Sequence, residues 1–363
     1  LRQPPTPAQQ VATTAPAERR RCLGALAAAA LLPSGWTAAT AATPATAATP
    51  ATTATAAPRR VVVVPKLVGI GYYEAVRQGV EAAAAERPDL RVQWQGTEQD
   101  RADAQAALLE RIIATRPALV AVATNDPVTL SPVLARAVQA GVRVMAWDAD
   151  VTPREFFVNL VDFDEFGQRL VQALVADAGS RGDIAIITTS FSAPNQTRWI
   201  EAIKRTLYAR HPGLRLIDTR PAGESTEEAA RVTRDLLRSH PALKGLIVLG
   251  APNLPGAAQA LRELRRAEPA RALPALTGNS TPNAVREYLL DGTFNTALGW
   301  NARDHGYLTV HAAWQLLNGG IQAGTAFQAG RMGQVLPRRD KVNAELVLPT
   351  LQFTRDNVDQ FRF

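Results

Sequence analysis

The sequence predicts an α/β protein of two doubly wound parallel-sheet lobes joined by a multi-strand hinge. Three observations carry this. From residue 61 onward, short apolar or β-branched runs alternate with segments of helical apolar period, the pattern of βαβ crossovers onto a parallel sheet. The alternation completes one set of strands by residue 147 and starts afresh near residue 157. Setting aside a low-complexity first sixty leaves about 300 residues, enough for two domains of roughly 150 each.

Each element follows from its residues. Residues 61–64 are four valines, a strand buried on both faces. Residues 65–71 read as a loop, and 72–87 as a helix stopped by Pro88. A strand at 90–95, a helix at 102–115, an apolar strand at 118–123 and a helix at 126–140 follow. Gly141 ends that helix in the usual C-terminal glycine position. The strand at 142–147 then delivers Asp148 at its C-terminal end. In the second set, strands fall at 157–160, 183–188, 214–219, 246–249, 275–276 and 296–300. Helices fall at 166–178, 195–210, 226–240, 255–265, 283–290 and 307–317.

Residues 18–32 carry a basic run, Arg19 to Arg21, before an Ala/Leu stretch broken by Pro33. Small residues follow, in the order of an export signal. The apolar run of about eleven residues is too short to span a bilayer, which needs roughly twenty. Paired arginines before a mild apolar region point to the twin-arginine route. Residues 1–42 are therefore expected to be an export signal, and 43–60, rich in Ala, Thr and Pro, a flexible linker. Cys22 is the sole cysteine. It directly follows three arginines, where lipid attachment would need an apolar motif, so the mature chain is expected to lack disulfides and thiolate metal sites.

Charge narrows the function. The net charge of +7 is partly local to the leader, and no like-charge block follows residue 60. A dispersed surplus does not make a phosphate-binding track, so nucleic acid is not an expected partner. None of His211, His240, His305 and His311 pairs with Cys, Asp or Glu at metal spacing. The Gly69-Ile70-Gly71 segment lacks the third glycine and the Lys-Ser/Thr of a phosphate loop. No metal or cofactor is expected.

In open parallel sheets, ligands sit at the C-terminal strand ends. Lys66 stands in the apolar stretch after the first strand. Tyr72 and Tyr73 open the next helix; one is expected to pack and the other to lie against a sugar ring. Asp148 can accept two hydroxyl donors at once, which suits a vicinal diol; Asp150 reads as a hinge residue. Asn195 and Gln196 begin a helix and offer donors and acceptors together. Asn253 follows a strand in a Gly-Ala-Pro-Asn loop, and Asn301 follows the last apolar strand beside Trp300.

Four segments carry a family resemblance: Pro-Lys-Leu-Val-Gly-Ile-Gly-Tyr-Tyr (65–73), Gly-Val-Arg-Val-Met-Ala-Trp-Asp-Ala-Asp (141–150), Asn-Gln-Thr-Arg-Trp-Ile (195–200) and Ser-Thr-Pro-Asn (280–283). Over about residues 60–363 the chain resembles type I periplasmic sugar-binding proteins of ABC importers, in the rhamnose-binding and autoinducer-2-binding branches. Lys66, Asp148, Gln196 and Ala251 match the autoinducer branch, while Asn195 stands where that branch has Asp and Leu249 where it has Pro. The Asn-Gln-x-x-Trp-Ile form is similar to the rhamnose branch, as are Gly-Trp-Asn (299–301), Ala-Gly-Arg-Met-Gly (329–333) and Asp-Asn-Val-Asp-Gln-Phe (356–361). The resemblance implies three crossings between lobes, with one lobe at 60–152 plus 301–325 and the other at 153–300 plus 326–363. It implies a monomer without enzymatic activity that closes over a rhamnose-like monosaccharide and delivers it to a membrane permease. Autoinducer-2 uptake or sensing is the alternative.

Two other functions meet objections. A sugar-responsive regulator needs a helix-turn-helix before the first strand, and the leader offers none. A sugar hydrolase needs paired carboxylates, and the second lobe's loops are expected to supply no partner for Asp148.

Overall fold

A computed structural model of the chain describes residues 57–363. The expected export signal, Cys22 and most of the linker lie outside the described residues. The linker's expected end at residue 60 is too late, because Arg59 and Arg60 already belong to the first strand.

The first sheet begins with β1 (Arg59–Val64), β2 (Leu90–Trp94), β3 (Leu119–Val122), β4 (Arg143–Asp148) and β5 (Phe157–Asn159). The first three connect through α1 (Gly71–Ala85) and α2 (Ala102–Ala114), and α3 (Pro127–Gln139) precedes β4. The valines of β1 are fully buried. Val61 and Val63 enter one apolar cluster, Val62 and Val64 another. That division is the two-residue period of a strand covered on both faces. Asp126 caps α3, accepting from the Val128 N–H at 2.9 Å, with Pro127 in the first turn. Gly141 takes φ +80° just past that helix, as its sequence position predicts.

The second unit runs α4 (Phe163–Ala178), β6 (Gly182–Thr188), α5 (Pro194–Arg210), β7 (Leu214–Pro221), α6 (Thr226–Ser239), β8 (Gly245–Val248), α7 (Asn253–Ala267), β9 (Ala275–Asn279), α8 (Pro282–Leu290) and β10 (Thr296–Gly299). The return comprises α9 (Ala302–Gly319), a hairpin of β11 (Phe327–Gln328) and β12 (Gln334–Val335), and then β13 (Arg338–Arg339), β14 (Ala344–Val347) and β15 (Leu351–Phe353).

Strand order is β13-β14-β5-β4-β3-β1-β2 in one sheet and β15-β10-β9-β8-β6-β7 in the other. Only the edge pairs β13–β14 and β15–β10 are antiparallel within these sheets. Two expectations need correcting. The strand near residue 157 does not open the second lobe: β5 pairs with β4 in the first sheet. The C-terminal tail does not belong wholly to the second lobe either, since β14 pairs with β5 while β15 pairs with β10. Alternation alone records that strands recur, not which sheet accepts them. The chain therefore passes between sheets at residues 160–162, 300–301 and 348–350.

The second passage returns α9 onto α1, and two glycines permit the close approach. A Cβ on Gly79 would lie 1.9 Å from the Arg303 carbonyl oxygen, and one on Gly306 would lie 2.0 Å from that of Val76. The backbones touch there, fixing α1, with Tyr72 and Tyr73 in its first turn, against the segment that follows Trp300.

Candidate functional site

The C-terminal ends of both sheets converge on one small pocket. β1 leads to Lys66, β4 ends on Asp148, and the loops after β6 and β8 bring Asn195, Gln196, Gly250 and Ala251. Asn279 ends β9, Trp300 follows β10, and α1 adds Tyr72 and Tyr73. Trp199 and Glu224 complete the lining. The enclosed cavity is only about 20 Å³, room for a water, so a larger ligand enters when the lobes part.

A polar chain crosses between the lobes. Lys66 Nζ donates to Asn195 Oδ1 at 3.3 Å, and Asn195 Nδ2 donates to Asp148 Oδ1 at 3.3 Å. The Tyr73 hydroxyl donates to Asp148 Oδ2 at 2.7 Å. All four residues are buried. Asp148 has φ +62°, a left-handed conformation that costs most residues energy but that Asp and Asn tolerate best. The backbone is bent there to aim a carboxylate at the cleft. Burial and the Asp148 charge push the Tyr72 and Tyr73 phenols well above their ordinary range, so both stay neutral donors.

An aromatic wall faces this chain. Tyr72 and Trp300 pack edge to face with ring centres 5.8 Å apart, and Trp199 lies 6.0 Å from Trp300. Trp300 Nε1 donates to the Tyr72 hydroxyl oxygen at 3.3 Å. That hydroxyl lies 3.2 Å from His305 Nδ1, while His305 Nε2 lies 3.0 Å from the Val158 carbonyl. A carbonyl only accepts, so Nε2 carries hydrogen. Burial pushes the imidazole pKa down, which leaves Nδ1 bare to accept from Tyr72. The ring of Tyr72 is thus held by a defined relay. The Trp199 indole N–H is buried and has no hydrogen-bond partner among the described residues.

Eight of the ten expected site residues line the pocket: Lys66, Tyr72, Tyr73, Asp148, Asn195, Gln196, Ala251 and Trp300. Both tyrosines do so, against the expectation that one only packs. Gln196 is oriented by its Oε1, which accepts from Thr188 Oγ1 at 2.8 Å and from the Thr189 N–H at 3.3 Å. Asn253 and Asn301 do not join them. Asn253 is the first residue of α7, fully buried, and its Nδ2 donates to the carbonyls of Gly223 at 2.9 Å and Ser225 at 3.0 Å. Asn301 caps α9, its Oδ1 accepting from the N–H groups of Arg303 at 3.0 Å and Asp304 at 3.2 Å. The Asn253 amide nitrogen and the Asn301 amide oxygen are each committed to backbone. Asp150 pairs with the buried guanidinium of Arg154 at 2.5 Å, away from the pocket.

Four lining residues were not expected: Gly250, which offers only backbone, and Asn279, Trp199 and Glu224. Asn279 was hidden because its strand reads as two residues, whereas β9 runs five. Trp199 lies inside a quoted motif but on a helical apolar face. Glu224, before the capping pattern Ser225-Thr226-Glu227-Glu228, reads as a solvated loop residue. It also corrects the premise that the second lobe gives the cleft no carboxylate. Its carboxyl is pushed up to about 7 by burial, against the lowering effect of Lys66 and with Asp100 and Asp148 adding to the rise.

The periplasmic binding protein domain family matches residues 61–321 of this chain, well over half of it. The chain belongs to the periplasmic binding protein family. Solved structures share the family's two-lobed form. LsrB from Clostridium saccharobutylicum in complex with AI-2 is 22% identical, covers 84% of this chain and 100% of its own, and gives a TM-score of 0.78. An ABC transporter solute-binding protein from Clostridium phytofermentas with bound L-rhamnose is also 22% identical, covering 84% and 98% with a TM-score of 0.78. One from Burkholderia graminis in complex with D-arabinose is 21% identical, covering 85% and 99% with a TM-score of 0.71. At such identity these likenesses establish the periplasmic binding protein fold alone. Among the described residues, no helix is long and apolar enough to cross a membrane, and no cluster of three or more His, Cys, Asp or Glu gathers for a metal.

Proposed function

We propose that this protein is the substrate-binding subunit of an ABC sugar importer, exported to the periplasm, where as a monomer it captures one monosaccharide and hands it to a membrane permease. The observation that carries this reading is the pairing of Asp148 with an aromatic wall in one pocket at the C-terminal ends of both sheets. A carboxylate and amides read hydroxyls, and indole and phenol rings cover the apolar face of a sugar ring. The ligand is a rhamnose-like deoxysugar, whose methyl group suits that wall. The buried Trp199 N–H supplies a donor for a ligand oxygen.

Binding rather than catalysis fits the state of Asp148. Both of its oxygens already accept hydrogen bonds, from Tyr73 and Asn195, which suits an orienting acceptor better than a nucleophile. A second reading, autoinducer-2 capture, is favoured by Lys66, Asp148, Gln196 and Ala251 lining one pocket. Thermal unfolding of the purified protein against a monosaccharide panel and autoinducer-2 separates the two. A ligand at 100 times its dissociation constant adds roughly 2.7 kcal/mol. A clear shift with L-rhamnose or a close relative supports the first reading, one with autoinducer-2 alone supports the second, and no shift defeats both.

A further inference from the structure

Glu224 takes no part in the Lys66–Asn195–Asp148 chain, yet its position is the most connected in the cleft. It lines the ligand pocket and also two larger clefts, of about 440 and 390 Å³, that share walls with it. Its loop joins β7 to α6 and is fastened twice. The Glu224 backbone N–H donates to Asp100 Oδ2 at 3.1 Å, a bond from the second lobe to the first. Asn253 Nδ2 holds the flanking carbonyls of Gly223 and Ser225. A carboxyl on a backbone pinned this way is presented to the pocket, not left to swing in solvent.

The groups around it come from each element packed there. Lys66, beyond β1, favours the ionised form; Asp148, ending β4, and Asp100, before α2, disfavour it. Tyr72 and Tyr73 on α1 are neutral phenols. An ionised Glu224 would be a second anion beside Asp148, with one cation to offset both.

We propose that Glu224 is a further ligand-binding residue that meets the sugar as a neutral acid, so that capture takes up a proton. This rests on the sugar-binding reading. With the lobes apart, Glu224 faces water and titrates as an ordinary glutamate near 4.5; closed, it is pushed up to about 7. The sign follows. The closed form is favoured by protonation, so affinity is highest at low pH and falls as pH rises through 7. Two such pKa values give binding up to about 30-fold tighter at pH 5.5 than at pH 8.5.

The test is isothermal titration calorimetry of the full chain with L-rhamnose and D-arabinose at pH 5.5, 7.0 and 8.5, in buffers of different ionisation enthalpy. Wild type is expected to take up a fraction of a proton at pH 7.0 and to lose affinity towards pH 8.5. Glu224→Gln, which keeps the shape and a donor, is expected to abolish both effects. An unchanged pH profile in Glu224→Gln overturns the inference. If neither sugar binds, the sugar reading fails separately, and Glu224 is judged by the same titrations with autoinducer-2: the same loss of affinity towards pH 8.5 is expected in wild type and not in Glu224→Gln, and a profile that is flat in wild type or unchanged in Glu224→Gln overturns the claim.

Discussion

Asp148→Asn isolates the charge of the residue placed at the centre of the pocket. Asn is the right replacement because Asp148 has φ +62°. Alanine there would add left-handed strain of about 1–2 kcal/mol and would orphan the buried Tyr73 hydroxyl, which donates to Asp148 Oδ2 at 2.7 Å. Asn tolerates the backbone and still offers Tyr73 an acceptor. What it loses is the anionic acceptor facing the ligand and, with one oxygen replaced by an amide nitrogen, the acceptor for Asn195 Nδ2. A hydrogen bond to a charged group is worth about 1.5–3 kcal/mol, so affinity should fall roughly 10- to 150-fold at 1.4 kcal/mol per decade. Isothermal titration with the sugar giving the largest thermal shift reads this directly, and ligand-free melting checks that the fold survives. Affinity within twofold of wild type, with normal melting, would refute the assignment of Asp148 as the ligand's main acceptor.

Asn195→Asp turns the amide nitrogen that sits 3.3 Å from Asp148 Oδ1 into an oxygen. Two carboxylates at that spacing repel by about 5 kcal/mol at an effective dielectric of 20, nearly offset by the gained attraction to Lys66. The variant should lose monosaccharide affinity and gain autoinducer-2 affinity in competition titrations; an unchanged ratio would mean that position 195 does not set specificity. Gly306→Ala should be strongly destabilising, because its Cβ would meet the Val76 carbonyl at 2.0 Å. The α1–α9 contact must then open, costing about 1–3 kcal/mol or more, seen as a drop of several degrees in melting temperature. Unaltered melting would show that the contact yields freely.

Much of this site was legible because strand ends are legible. The four valines of β1 and the apolar run before Asp148 mark where their strands stop, so Lys66 and Asp148 could be placed at a cleft without coordinates. Sheet membership was not legible. β5 and β14 are short, and their pairing is decided by which edge lies free after β4, a tertiary fact that leaves no local trace. Asn253 and Asn301 misled because a strand-following Asn serves a ligand or a helix start equally well, and here both amides bond to backbone. Glu224 was missed for the opposite reason. Nothing local distinguishes it from a solvated glutamate; the clasp to Asp100 and the burial that raises its pKa arise only when the lobes meet.

The most direct test of the central claim is a crystal structure of the protein grown with the monosaccharide that stabilises it most. The account predicts one sugar between the lobes, with hydroxyls on Asp148 and Asn195, an oxygen within hydrogen-bond reach of Trp199 Nε1, and a ring face against Trp300 and Tyr72. A sugar bound elsewhere, or one in the cleft making no contact with Asp148, would contradict it.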